Sequence, residues 1–383
     1  MELVDLLKIA VERKASDLHI KVGMPPVLRI DHKLVPLMEL PRLGQDAVVS
    51  MAASVMSAKQ RERFKERNEA DLAYGVPGLG RFRVNVFQQR GMVGIVLRLI
   101  PLKIQTVREL NLPPVLETLA LEPRGLILVT GTTGSGKSST LAAMIDHINA
   151  NVTGHILTIE DPIEFLHRDK KCLVNQREIG GDAPSFGEAL RSALRQDPDI
   201  ILVGEMRDFE TISTALLAAE TGHLVMSTLH TLDATETINR VVAVFPPYQQ
   251  KQVRLQLASV LRGILSQRLI PRADGKGRVP AVEVCIATAT VREAIVDADK
   301  TRKLPDVIAA GLSQYGMQTF DQSLMTLYTR GLITYEEALR WCSNPDDFAL
   351  RVRGIESTGD STWRGTLQPQ EEPPKSMPGM TKY

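Results

Sequence analysis

The chain has 383 residues, with 46 lysines and arginines set against 45 aspartates and glutamates for a formal net charge of +1. That length suits two domains, and the charge balance excludes bulk electrostatics as a reason to bind nucleic acid or an anionic membrane. The three cysteines, Cys172, Cys285 and Cys342, form no C-x-x-C pair, which excludes a disulfide framework or zinc ribbon and predicts a reduced, cytoplasmic protein.

The first residues, Met1-Glu2-Leu3-Val4-Asp5, lack the basic start of a signal peptide. Residues 3–11 are predicted helical, 17–21 extended, and 46–67 helical with a break near Ser57. Gly80 to Phe87 alternates polar and apolar residues, the period of a half-buried strand, and after a turn at Gly91 residues 92–100 form the return strand. Residues 1–100 are therefore expected to be a small α+β domain. Arg81 and Arg83 share one face of its strand and Arg98 lies on the return partner. Pro101, Pro113, Pro114 and Pro123 mark residues 101–124 as a linker carrying a short helix over 115–121.

The next segment carries the strongest signal. A short apolar run, Gly125 to Thr130, leads into Gly131-Thr132-Thr133-Gly134-Ser135-Gly136-Lys137-Ser138, and a helical pattern opens at Ser139. A strand that delivers a glycine turn into a helix N-terminus aims backbone N–H groups and the positive end of the helix dipole at one point, where a polyphosphate can sit. Gly131, Gly134 and Gly136 permit close backbone approach, Lys137 reaches the β- and γ-phosphates, and the Ser138 hydroxyl can ligate Mg²⁺. Residues 131–139 are thus the expected site for a nucleoside triphosphate with magnesium.

From residue 125 to 356 short apolar strands alternate with helices, the pattern of a parallel sheet covered on both faces. The candidate strands are 126–130, 155–159, 200–203, 223–228 and 280–286, and a helix is predicted over 249–269 with Val253, Leu257, Val260, Leu261, Ile264 and Leu265 on its core side. No apolar run approaches the roughly 18 residues of a membrane span. Residues 357–383, poor in apolar side chains, are expected to be a disordered tail.

Three polar constellations end these strands, where open α/β sheets hold ligands. One strand runs into Glu160, Asp161 and Glu164, and a carboxylate beside a γ-phosphate can accept the proton of the attacking water. Another ends in Glu205, where a phosphate-loop enzyme needs a carboxylate for the magnesium shell. The third opens on His223 and ends on His230, which could bind or sense the γ-phosphate. No arginine in these motifs is obviously placed to neutralise transition-state charge; such an arginine is worth about 10³–10⁵ in turnover and can come in trans, which directs attention to Arg81, Arg83 and Arg98.

Taken in order, these segments resemble the PilT/PilU retraction ATPases of type IV pili, within the secretion ATPase superfamily, over roughly residues 3–355. The phosphate loop is similar to the family's Walker A. Thr158 to Phe165 looks like its Asp box, with Glu164 as general base; Ile200 to Asp208 looks like its atypical Walker B, with Glu205 in place of aspartate; and Gly222 to Thr231 resembles its His box. The resemblance implies a PAS-like N-terminal domain joined to a RecA-like motor domain and a homohexamer at the inner face of the cytoplasmic membrane, recruited by a pilus platform protein and accompanied by a paralogous retraction ATPase. It also implies N-terminal arginines that reach a neighbouring subunit's nucleotide. Leu173 to Glu178 and Asp197 to Asp208 favour the PilT branch, Phe348 to Arg353 is closer to PilU, and Thr290 to Ile295 departs from a segment associated with retraction. Extension ATPases would add a four-cysteine insert after the His box, where only Cys285 and Cys342 follow. A RecA-like DNA motor would need aromatic stacking platforms, against an aromatic content of 4%, and a non-catalytic scaffold is at odds with Lys137, Glu164 and Glu205.

Overall fold

The computed structural model describes residues 2–30, 33–100 and 103–354; the tail expected over 357–383 lies outside them. The described residues divide into two compact units, one within residues 2–104, 157–170 and 174–189, the other within residues 105–156, 171–173 and 190–354. The segments 157–170 and 174–189 group with the N-terminal unit and not with their neighbours in sequence.

The first unit is built on α1 (Leu3–Glu12), β1 (Asp17–Lys21), β2 (Val27–Ile30), β3 (Lys33–Pro36), α2 (Gln45–Val55), α3 (Ala58–Arg67), β4 (Glu69–Val76), β5 (Gly80–Gln89) and β6 (Met92–Leu99). Its six strands form a sheet in the order β3-β2-β1-β6-β5-β4, with each neighbouring pair antiparallel. The helix α1 buries Leu3, Leu6, Leu7 and Ala10, the i, i+3, i+4, i+7 stripe of an amphipathic helix. These join Leu18, Leu28, Phe82, Ile95 and Leu97 in one apolar core. The break near Ser57 is a helix start: the Ser57 side chain accepts from the Gln60 N–H while the Gln60 side chain accepts from the Ser57 N–H, closing a capping box.

The second unit begins with α4 (Val115–Ala120), β7 (Gly125–Thr130) and α5 (Lys137–Asn151). The elements β8 (His155–Glu160), β9 (Leu173–Glu178) and α6 (Phe186–Ala193) follow in the chain, then β10 (Ile200–Val203), α7 (Phe209–Glu220), β11 (Leu224–Leu229), α8 (Ala234–Ala243), α9 (Pro247–Val260), β12 (Leu261–Pro271), β13 (Arg278–Ile286) and α10 (Ala289–Val296). Further helices lie between Leu304 and Val352. Its strands run β13-β12-β7-β11-β10. β7, β10, β11 and β12 are parallel, and β13 returns antiparallel to β12. β7 is buried at all six positions, as a strand covered on both faces must be. β8 enters at the β10 edge, where the Asp199 N–H donates to the His155 carbonyl.

The helix expected over 249–269 is corrected: α9 stops at Val260, and Leu261–Pro271 is a strand between β7 and β13. Val260, Leu261, Ile264 and Leu265 are spaced as helix neighbours, so the period alone could not separate the two readings. Pairing on both sides decides it, and Gly263 permits the close approach, since a Cβ there would stand 2.8 Å from Leu119 Cδ2. Among the described residues no helix is long and apolar enough to cross a membrane, and all three cysteines are free thiols.

Candidate active site

The phosphate loop leaves the carboxyl end of β7 and enters α5 at Lys137. Gly131, Gly134 and Gly136 have φ of +139°, +77° and +93°, which side chains other than glycine rarely adopt. At Gly131 a Cβ would also collide with the Gln267 carbonyl oxygen and stand 2.6 Å from Ser135 Oγ. The loop therefore closes over a wall supplied by β12. Lys137 is buried, and its Nζ donates to the carbonyls of Gly131 at 2.7 Å and Thr132 at 3.0 Å, so the ammonium lies inside the turn. Ser135 Oγ is buried with no hydrogen-bond partner among the described residues. A buried hydroxyl in that state has lost its water, and a phosphate oxygen is a fitting acceptor for it. The loop thus suits a polyphosphate, with the Ser138 and Ser139 hydroxyls half-buried at the start of α5. Beside it lies a cavity of about 260 Å³ lined by Gly131 to Ser135 together with Leu232, Gln267, Arg268, Leu269, Arg278 and Trp341.

β11 pairs in register with β7, Leu229 opposite Thr130 and Leu224 opposite Gly125. His230 therefore emerges at the phosphate-loop end of the sheet. There Glu205 forms an ion pair with Arg207 Nη2 at 2.7 Å and stands 3.7 Å from His230 Nε2. Arg207 was missed as a functional candidate in the sequence although it lies two residues beyond Glu205. Gln267 was missed because it falls in the strand read as helix; it accepts from Thr140 Oγ1 of α5 at 2.9 Å. His223 is a correction: it sits at the other end of β11, roughly 20 Å away at about 3.3 Å per residue, with Nδ1 2.9 Å from the Ala218 carbonyl at the end of α7. Within one chain it closes a helix end and is not brought to the phosphate loop.

The start of α8, just beyond His230, is tied to the sheet. Glu283 of β13 accepts from the Ala234 N–H at 2.8 Å and from Ser266 Oγ at 3.2 Å, and burial pushes its carboxyl up to about 7.

In the N-terminal unit, Glu164 is exposed on the irregular stretch after β8. Glu160, at the end of that strand, has its carboxyl raised by burial, opposed by hydrogen bonds from Thr158 Oγ1 at 2.6 Å, Gln176 Nε2 at 3.1 Å and the Glu164 N–H at 3.5 Å. Of the three arginines, Arg81 is paired with the Glu178 carboxylate at 3.0 Å and Arg98 with the buried Asp17 at 2.8 Å. Arg83 stands directly across from Arg98 in the β5–β6 register and is exposed without an ion pair among the described residues. Among the described residues no three His, Cys, Asp or Glu side chains cluster as a metal cage. Magnesium that arrives with a nucleotide keeps most of its waters and needs only one or two protein ligands beside the phosphates; the Ser138 hydroxyl and the Glu205 carboxylate are the oxygen groups available for that role.

For Glu205→Gln the expected result is a roughly tenfold rise in the magnesium concentration giving half-maximal ATPase, the scale on which outer-shell partners act. An unchanged magnesium titration would remove Glu205 from that role.

A profile for the type II/IV secretion system protein family matches residues 2–322. The chain is 50% identical over 348 residues to the type IV pilus retraction ATPase PilT of Pseudomonas aeruginosa, covering 91% of this chain and all of that one. It is 43% identical over 361 residues to the type IV pilus ATPase PilU of the same organism, covering 94% of each. Among solved structures, a crystal structure of the pilus retraction motor PilT with bound ADP superposes with a TM-score of 0.83 at 48% identity, covering 91% of this chain and 98% of that one.

Proposed function

The chain belongs to the type II/IV secretion system protein family, and from that membership we propose that it is a PilT-type motor that hydrolyses ATP to retract type IV pili and so powers twitching motility. The observation that carries this reading is the phosphate loop of residues 131–138, with Lys137 inside the turn and Ser135 Oγ without a partner, in a chain half-identical along almost its whole length to a retraction ATPase. ATP is held by the loop N–H groups and by Lys137. Magnesium bound with the nucleotide screens the phosphate charge, and here Ser138 would ligate it while Glu205 orients its waters. Glu164 takes the proton of the attacking water, and His230, beside Glu205, responds to the γ-phosphate. The motor works as a homohexamer on a platform protein at the inner face of the cytoplasmic membrane, with a paralogous ATPase as accessory.

The test is a chromosomal deletion in the organism that carries the chain. Cells should keep surface pili and lose twitching, and the wild-type gene should restore it. Loss of the pili themselves would make this an extension motor, and undiminished twitching would overturn a retraction role.

In the ring, Arg83 is the arginine that serves a neighbouring subunit's nucleotide, because Arg81 and Arg98 are already engaged by carboxylates of their own unit. Arg83→Ala and Lys137→Ala proteins should each be inactive alone. Co-assembled in hexamers verified by mass, they should recover part of the ATPase activity at intermediate mixing ratios, since some interfaces then join an intact loop to an intact arginine. A flat line at the parental background, despite mixing, would assign Arg83 to the polar outer face of β5.

A further inference from the structure

The stretch that carries Glu164 lies between β8 and β9 and has no regular hydrogen-bonded structure from Asp161 to Lys170. Backbone groups in such a segment need partners from elsewhere, and here side chains of β9 supply them. Gln176 and Glu178 are two residues apart and so share one face of that strand. Glu178 accepts from the Ile163 N–H at 3.2 Å, one residue before Glu164. Gln176 donates from Nε2 to the Phe165 carbonyl at 2.9 Å, one residue after it, and accepts at Oε1 from the His167 N–H at 2.8 Å. The same amide donates to Glu160 Oε1, and the other oxygen of Glu160 lies 3.5 Å from the Glu164 N–H. Residues 163, 164, 165 and 167 are thus all tied, directly or through Glu160, to two side chains.

Those two side chains are themselves anchored. The Glu178 N–H donates to Asp182 Oδ2 at 2.8 Å, and the Ile179 N–H donates to the Glu160 carbonyl at 2.9 Å. The second acceptor role of Glu178 is toward Arg81 Nη2 at 3.0 Å, and the Glu178 side chain is only 12% exposed. Glu164 itself is exposed, so its backbone is the handle by which the fold can aim it.

We propose that Gln176 and Glu178 are positioning residues that hold the Glu164 loop in its working geometry by hydrogen bonds to the backbone on either side of the carboxylate. The proposal rests on the reading of Glu164 as the proton acceptor. A proton acceptor misplaced by about 1 Å can lose on the order of 10²-fold in rate, whereas substrate held elsewhere is unaffected, so the two residues act on kcat and leave KM for ATP in place.

The experiment is a double-mutant cycle in the full-length protein, with magnesium and ATP, reading kcat and KM separately. Gln176→Ala is expected to lower kcat about 10- to 100-fold with KM changed less than about threefold. In the Glu164→Gln background the same substitution is expected to cost almost nothing further, because a loop that no longer presents a base has nothing left to aim. Glu178→Ala should lower kcat about tenfold or more, and Glu178→Gln, which keeps an acceptor for the Ile163 N–H, should recover most of that loss. Multiplicative losses in the double mutant, or a KM that rises in step with the fall in kcat, would overturn the positioning role while leaving Glu164 as base. A Glu164→Gln protein with wild-type kcat would instead overturn the reading of the base and the proposal with it. Should Gln176→Ala fail to fold, the Glu178 pair decides: glutamine no better than alanine would show that the charge toward Arg81 matters and the bond to Ile163 does not.

Discussion

Glu164→Gln is expected to slow ATP hydrolysis by about 10²–10⁴-fold, the usual contribution of a positioned general base, while the affinity for ATP stays within a few-fold of wild type. Glutamine has nearly the same shape and can still accept a hydrogen bond, but it cannot take a proton. The side chain is exposed, and the loop around it is fixed through the backbone by Gln176 and Glu178, so the substitution should leave the fold intact. Single-turnover hydrolysis and equilibrium binding of a fluorescent nucleotide, measured on the same preparation, separate the two quantities. The protein should bind ATP and retain it. Equal losses in binding and turnover would move Glu164 from proton transfer to holding magnesium or phosphate.

Lys137→Ala should abolish measurable turnover and weaken nucleotide binding about ten- to a hundredfold, as expected for loss of a charge-assisted contact worth about 1.5–3 kcal/mol. The lysine sits within the turn, hydrogen-bonded to the Gly131 and Thr132 carbonyls, and it is the cation the loop itself offers to the phosphates. Truncation also removes the donor those two carbonyls share, so a melting curve should accompany the assay. A folded variant with wild-type ATPase would dismiss the loop as the catalytic nucleotide site.

The phosphate loop was legible in the sequence because its requirements are local. Left-handed glycines, a lysine and a hydroxyl must follow a buried strand within eight residues, and no distant contact is needed to specify them. The same holds for the break near Ser57 between α2 and α3, which the structure closes with a capping box, and for the alternation of β5 that puts Arg81 and Arg83 on one face. Contiguous patterns also sufficed for a mixed α/β chain with an N-terminal unit ahead of a RecA-like one, and their resemblance to retraction ATPases agrees with the matches along the chain.

What the sequence left open was decided by pairing between segments far apart in the chain. Leu261 to Leu269 reads as readily as a helix as a strand, and only the ladders to β7 and β13 select the strand, which then brings Gln267 against the loop. His223 and His230 bracket one strand in the sequence, and the β7–β11 register decides which of its ends meets the phosphate loop. Arg81, Arg83 and Arg98 look alike on their strands, and only the carboxylates of Glu178 and Asp17 distinguish the two that are ion-paired from Arg83. Gln176 and Glu178 carry no sequence signal for their hold on the Glu164 loop, since their partners are backbone groups whose identity any residue shares. Local chemistry is written in neighbouring residues, whereas register and backbone partnering arise only when the chain closes on itself, so the tertiary structure alone could decide them.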